Sequence, residues 1–219
     1  AHIIHDGLRR MVTATEENPS GEDVFYYITI YNEPILQPAK PENLDVEALL
    51  AGLYRLAEAP IIEGPRAQIL ASGVAVPWAL EAQRLLAEDW GVGADVWSAT
   101  SWTELRREAL DCDTFNLMNP DAEKRVPYVT RALSGEPGPV VAVSDFMRAV
   151  PDQISRWVPG DYSSLGTDGF GFSDTRAATR RFFNVDAPSI VLRTLTDLAA
   201  RGEVCADVAA KAAAQYGLV

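Results

Sequence analysis

Cysteine and histidine are scarce in this sequence, and their scarcity limits the chemistry that it can support. The 219 residues contain only two cysteines, Cys112 and Cys205, and two histidines, His2 and His5. The two cysteines lack the paired spacing of a disulfide framework, a zinc knuckle or a redox motif. Neither histidine lies near a recognisable nucleophile motif, so a hydrolase based on a Ser-His or Cys-His pair is not supported.

Positive charge and long apolar runs are also lacking. There are 19 basic residues against 31 acidic ones, and the resulting net charge of -12 argues against nucleic acid and anionic membranes as partners. No apolar run approaches the roughly 20 residues that a membrane-spanning helix needs. The N-terminus has no basic segment followed by an apolar one, so we expect a globular, cytoplasmic protein without secretory processing.

The first 38 residues carry one helical pattern and one strand pattern. Apolar residues at helical spacing predict a helix from the first residues, and no cap precedes it, which suggests a truncated chain. The run from Val24 to Tyr31 (VFYYITIY) predicts a buried strand. His2 and His5 could face one metal ion with Asp6 nearby, but no third ligand is evident, and we interpret them as ordinary residues.

The remaining sequence alternates between helical and strand patterns. Three prolines between residues 32 and 43 indicate a linker, which is followed by a predicted helix over 45–59. Strands are predicted over 67–76, 94–100, 139–145 and 162–170, and helices over 77–90, 102–111, 146–158 and from 176 onward. Such alternation is typical of an α/β protein in which helices cover both faces of a mostly parallel sheet. We therefore predict a three-layer sandwich.

The most unusual segment is glycine-rich, LGTDGFGFSDTR, from Leu165 to Arg176. Its order differs from the G-x-G-x-x-G of dinucleotide-binding loops, and Asp168 and Asp174 would repel a phosphate. We interpret the segment as a structural or interface signature, formed by Gly166, Asp168, Gly169, Gly171, Asp174 and Arg176.

Specific roles are expected within this segment. Its glycines permit a tight turn with positive φ, and Asp174 or Ser173 is expected to cap a helix that opens near Thr175. Asp168 and Arg176 could form a charge-assisted pair that fixes the loop.

Two further sets of residues have simple structural interpretations. The five tryptophans are expected to be core or interface anchors rather than ligand-stacking groups: Trp78, Trp90, Trp97, Trp102 and Trp157. Four acidic residues, Glu16, Glu17, Glu22 and Asp23, are expected to form a solvated loop.

Several blocks of the sequence, in order, resemble one enzyme family. They are VFYYITIYNEPILQP, the stretch ASGVAVPWALEAQRLLAEDWGVGADVWSATSWTELRREALDCDTFNLMNP, RVPYVTRAL and SLGTDGFGFSDTRAATRRFFNVDAPSIV. The sequence resembles the C-terminal portion of the homodimeric, bacterial-type pyruvate dehydrogenase E1 family. It departs from the family at Phe172, where arginine is common.

The resemblance implies a complete polypeptide about four times as long. Residues 1–38 would be the last helix and strand of its pyrimidine-binding domain, 39–60 a linker and helix, and 61–219 a transketolase-type C-terminal domain with a mixed sheet and one antiparallel edge strand. The complete enzyme would decarboxylate pyruvate on thiamine diphosphate with Mg²⁺ and reductively acetylate the lipoyl group of the E2 acetyltransferase.

The family's thiamine motif and its catalytic glutamate and histidines are absent from this sequence, so we assign no catalytic, cofactor-binding or metal-binding residue. We expect no cofactor to bind this chain alone. Its expected partners are the remainder of the E1 chain, a second E1 subunit and E2. The alternatives are a stand-alone, non-catalytic partner subunit of a split thiamine-dependent enzyme and, less favoured, a regulatory or scaffold protein.

Overall fold

The computed structural model describes residues 1–16, 18–32, 34–171 and 173–218. The helices are α1 His2–Val12, α2 Val46–Ala51, α3 Ala75–Trp90, α4 Trp102–Met118, α5 Tyr128–Leu133, α6 Ala149–Asp152, α7 Arg176–Phe182, α8 Ala187–Ala200 and α9 Val208–Gln215. The strands are β1 Leu53–Ala57, β2 Arg66–Ala71, β3 Gly93–Ala99, β4 Val140–Val143 and β5 Tyr162–Leu165.

The five strands form one sheet in the order β1-β3-β2-β4-β5. Strands β2 to β5 are parallel, and Ile69 at the centre lies opposite Val96 on one side and Val141 on the other. Edge strand β1 is antiparallel to β3, with Leu53 opposite Ala99. This confirms the mixed sheet with one antiparallel edge strand.

Helices cover both faces of this sheet. Because successive side chains of a strand point to opposite faces, neighbouring residues of β2 pack against different helices. Ile69 packs in one hydrophobic cluster with Leu86 of α3 and Ile190 of α8. Its neighbour Leu70 packs in a second cluster with Leu105 of α4 and Val129 of α5. The predicted three-layer α/β sandwich is confirmed.

The predicted helix over 45–59 is wrong in its second half. Gly52 adopts a φ of +108° and ends α2 after Ala51, and the next five residues form β1. A Cβ on Gly52 would lie 2.8 Å from the carbonyl oxygen of Ser101, so glycine also permits a close backbone approach there. The leucines that suggested one long helical face are divided between a helix and a strand.

Other element boundaries also differ from prediction. Instead of one helix over 146–158, the chain forms the short α6 and a 3-10 turn at Ser155–Trp157. The helix predicted over 102–111 continues to Met118, and α5 was not predicted. No helix in the described ranges is both long and apolar enough to cross a membrane.

The predicted buried strand over 24–31 is also wrong. The segment is not assigned to any strand of the described sheet. Phe25, Tyr27 and Ile30 are 90%, 89% and 88% exposed. β-propensity is realised only when a neighbouring backbone supplies hydrogen bonds and side-chain contacts, and the described part of the chain offers no such neighbour here.

Candidate binding crevice at the carboxyl edge of the sheet

A cavity of about 330 Å³ lies at the carboxyl ends of the central strands, where β2 continues towards α3 and β4 ends before Asp145. From β2 the chain crosses to β3 on one side, whereas β4 lies on the other side of β2. This is a topological switch point, the place where α/β sheets usually bind ligands. The lining includes Val74 and Trp78 at the N-terminal end of α3, together with Asp145 and Phe183.

A tyrosine from the first segment reaches into this crevice. The hydroxyl of Tyr31 donates a hydrogen bond to Oδ1 of Asp145 at 2.9 Å. Burial, followed by the hydrogen bond to Asp145, raises the pKa of Tyr31 to about 12. Burial also raises the pKa of Asp145, although the hydrogen bond from Tyr31 opposes that increase. Both groups lose solvation in the crevice, and each gains a hydrogen-bond partner there.

A glycine at the end of β2 makes room for this tyrosine. Gly73 adopts a φ of +55°, and a Cβ placed on it would lie 2.3 Å from the Tyr31 hydroxyl oxygen. Neither Gly73 nor the pair Tyr31 and Asp145 was singled out from the sequence. The tyrosine and aspartate are 114 positions apart, so the pair is a tertiary contact that no local sequence pattern indicates.

The glycine-rich segment borders the same crevice, where Gly169, Gly171 and Arg176 contribute to its lining. Gly169 has a φ of +94°, as a tight turn requires. A Cβ on Gly166 would lie 2.7 Å from the carbonyl oxygen of Phe146, so glycine is needed there for close packing. A Cβ on Gly171 would meet no described atom within 4 Å.

One local expectation for this segment requires correction, and another stays a prediction. Oδ1 of Asp168 accepts the backbone N–H of Arg148 at 3.0 Å, and its pair with Arg176 stays a prediction. The hydroxyl of Thr175 caps α7 by accepting the N–H of Ala178, and Asp174 accepts the N–H of Thr175. A backbone donor within reach satisfies each side chain locally. Phe172 lies outside the described residues.

The tryptophans behave mainly as core anchors, as predicted. Trp97, Trp102 and Trp157 are buried in the cluster on the α4 face. Trp90 packs edge-on against Tyr216, with ring centroids 6.4 Å apart. Trp78 is partly buried beneath the guanidinium of Arg180, 4.5 Å from the ring centroid, and its place at the crevice was not predicted.

The acidic loop is only partly as expected. Glu16 and Asp23 are exposed, but Glu22 pairs with Arg10 at 2.6 Å, and the hydrogen bond lowers the pKa of Glu22. Glu17 lies outside the described residues. His2 and His5 lie on α1, and no three His, Cys, Asp or Glu side chains in the described ranges converge on a possible metal position.

Comparison with known proteins identifies the family. The model of the transketolase-like TK C-terminal domain matches residues 52–186. The chain belongs to the transketolase-like C-terminal domain family. Its matched region begins at Gly52, directly before β1, and ends at Asp186, the residue that caps α8.

The full-length relatives are pyruvate dehydrogenase E1 components. The chain is 60% identical over 216 residues to that of Mycolicibacterium smegmatis, a match of 99% of this chain and 23% of the relative. It is 56% identical over 216 residues to that of Mycobacterium tuberculosis, with the same coverage of both chains. This confirms the resemblance to the E1 family, and the chain spans about a quarter of the length of these relatives.

Solved transketolases are more distant. A transketolase structure from Campylobacter jejuni aligns with a TM-score of 0.48 and 20% identity, over 72% of this chain and 20% of that one.

The described residues offer no acidic metal cluster for the Mg²⁺ that the E1 resemblance implies. Mg²⁺ bound to a diphosphate needs several oxygen ligands in octahedral geometry, and the described residues provide no cluster of three acidic, histidine or cysteine side chains. The lining combines the carboxylate of Asp145 with the guanidinium groups of Arg176 and Arg180, so its charge gives no separate argument for or against a diphosphate. We therefore assign none of these residues to thiamine diphosphate.

Proposed function

We propose that this chain is the C-terminal part of a cytoplasmic pyruvate dehydrogenase E1 component and supplies its structural, interdomain and dimer contacts. The complete enzyme would use thiamine diphosphate and Mg²⁺ to decarboxylate pyruvate, and would transfer the acetyl group reductively to the lipoyl group of E2. The chain alone would be inactive. The 60% identity along 99% of the chain supports this assignment.

The observation that carries the contact role is the apolar surface of the first 31 residues. Phe25, Tyr27 and Ile30 are almost fully exposed, although their sequence is typical of a buried strand. Apolar patches of this kind mark interaction sites. We infer that the remainder of the E1 chain pairs with residues 24–31.

Helix α1 extends this surface. It exposes Ile4, Leu8 and Val12, and its Gly7 packs closely against the ring of Tyr26, which lies 2.8 Å from an ideal Cβ position. Arg10 donates a hydrogen bond to the Tyr26 hydroxyl at 2.9 Å. The helix and the extended segment therefore form one unit with exposed apolar side chains, which supports a single interface for the upstream part of E1.

Reconstitution tests this proposal. The chain would be coexpressed with the part of the Mycolicibacterium smegmatis relative that precedes the matched region, and pyruvate-dependent CO₂ release would be measured with thiamine diphosphate and Mg²⁺. We expect turnover from the mixture and none from this chain alone. Turnover by the chain alone would contradict the proposal.

The same isoleucine-to-aspartate change at two positions distinguishes loss of the interface from a general effect of the added charge. Ile30→Asp should reduce the reconstituted activity by about tenfold or more, since the interface would have to bury an unpaired charge. Ile61→Asp changes another highly exposed isoleucine outside the segment and should retain activity. Circular dichroism would check that both variants fold. Equal losses in the two variants would argue against residues 24–31 as the contact.

A further inference from the structure

The crevice at the switch point already holds a side chain of this protein. Tyr31 is 37% exposed, whereas Tyr27, in the same extended segment, is 89% exposed. The ring of Tyr31 crosses from the first segment to the carboxyl edge of the sheet, where it lines the cavity together with Val74 and Asp145. Tyr31 therefore shares with Tyr26, which is also 37% exposed, a more protected position than the side chains between them.

The contacts in the crevice recognise the hydroxyl group more than the ring. Oδ1 of Asp145 accepts the hydroxyl hydrogen at 2.9 Å. Gly73 lies so close to the hydroxyl oxygen that a Cβ would come within 2.3 Å of it, compared with 3.0 Å for the adjacent ring carbon. The site is therefore fitted around an oxygen atom at the tip of a ring.

The other end of the segment is attached separately. Tyr26 packs against Gly7 and accepts a hydrogen bond from Arg10, as described above. Residues between Tyr26 and Tyr31 are exposed. The segment is thus anchored to α1 through one tyrosine and to the α/β sheet through another.

We propose that the switch-point crevice is a binding site for a phenol, and that the Tyr31 side chain is its resident ligand. Occupation of the site fixes the end of the 24–32 segment against the carboxyl edge of the sheet. This inference does not depend on the proposed E1 function, because it rests only on contacts within the chain.

Chemical complementation tests the site. Tyr31→Gly removes the entire side chain, which p-cresol reproduces, whereas toluene has the same ring without the hydroxyl. We expect p-cresol to bind the variant with 1:1 stoichiometry by NMR titration, and toluene to bind at least about tenfold more weakly, since the hydrogen bond to Asp145 is lost. The wild-type chain should bind p-cresol at least about tenfold more weakly than the variant, because the Tyr31 hydroxyl already donates to Asp145.

The possible contrary results are clear. Equal affinity for toluene and p-cresol would show that the hydroxyl is not recognised. Binding of p-cresol to the wild type as tightly as to the variant would place it elsewhere. A concentration of about 10 mM p-cresol is well above the dissociation constant expected for a fragment of this size. No binding to the variant at that concentration would overturn the proposal.

A milder substitution provides an independent test that does not need the emptied site. Tyr31→Phe keeps the ring, and we expect limited proteolysis within residues 24–32 to accelerate by about fivefold or more, because the segment loses its hydrogen bond to Asp145. Tyr27→Phe is the matched control and should leave the cleavage rate unchanged. An unchanged cleavage rate in Tyr31→Phe would show that the hydroxyl does not hold the segment, which would overturn the proposal.

Discussion

Gly73 and Tyr31 are packed so closely that the glycine has no space for a side chain, with 2.3 Å between an ideal Cβ and the tyrosine oxygen. We predict that Gly73→Ala destabilises the chain by about 1–2 kcal/mol more than Gly91→Ala. Gly91 has a similar φ, +61° against +55°, but open space around it. The difference, measured by urea unfolding, isolates the contact from backbone strain.

A double variant checks the cause of that difference. When Gly73→Ala is added to the Tyr31→Gly variant, it should lower the unfolding free energy by no more than Gly91→Ala does. The tyrosine oxygen that would clash with the new Cβ is absent there. An unchanged extra cost would place the conflict with another part of the structure.

Asp95 is the centre of a buried polar network at the opposite end of the sheet. Its carboxylate accepts hydrogen bonds from Arg66 at 2.8 Å, Gln68 at 3.2 Å and the N–H of Ala59 at 3.0 Å, and the residue is 1% exposed. Asp95→Ala should cost about 3 kcal/mol in unfolding free energy, because these donors lose their acceptor. The matched control, Glu81→Ala, breaks an exposed pair with Arg84 and should cost less than about 1 kcal/mol.

The raised pKa of Tyr31 predicts a contribution to alkaline stability. A group whose pKa is higher in the folded state than in the unfolded state stabilises the fold below its unfolded pKa, near 10 for tyrosine. That contribution is lost as the pH rises through about 12, the value in the folded chain. The melting temperature of Tyr31→Phe should therefore fall less steeply between about pH 10 and 12 than that of the wild type.

Tyr27→Phe provides the comparison for that experiment, because its ring is exposed and makes no described hydrogen bond. Its melting temperature should follow that of the wild type across the same pH range. If both variants followed the wild type, Tyr31 would make no contribution to the alkaline transition.

The cap of α7 distinguishes the structure from the expectation based on sequence. Thr175→Ala removes the hydroxyl that accepts the Ala178 N–H and should cost about 1 kcal/mol in unfolding free energy. Ser173→Ala changes an exposed residue outside the cap and should remain within about 0.5 kcal/mol of the wild type. The reverse order of effects would restore the earlier assignment of the cap.

Sequence patterns predicted the central sheet because its strands are short apolar runs separated by amphipathic helices. The patterns around Ile69 and Val96 were sufficient for this, since both lie in strands buried on both faces. The helix over 45–59 failed at Gly52, where one positive φ converts a helical spacing into a helix followed by a strand. The strand over 24–31 failed because pairing depends on a backbone partner that no local pattern reports.

The crevice was less predictable than the fold. Trp78 and Arg176 were noted from the sequence, but nothing local indicated that both line one cavity. The adjacency of β2 and β4 brings Gly73 and Asp145 to one edge, and Tyr31 reaches them from a segment outside the sheet. An assignment based on the strand order, with the switch point between β2 and β4, would have located this edge.

Titration calorimetry of the purified chain with thiamine diphosphate and Mg²⁺ tests the central claim most directly. The claim is that this part of E1 provides contacts and no cofactor site. It predicts no saturable heat at micromolar concentrations from the chain alone, with binding restored when the upstream part of the Mycolicibacterium smegmatis relative is present. Stoichiometric, micromolar binding by the chain alone would contradict it.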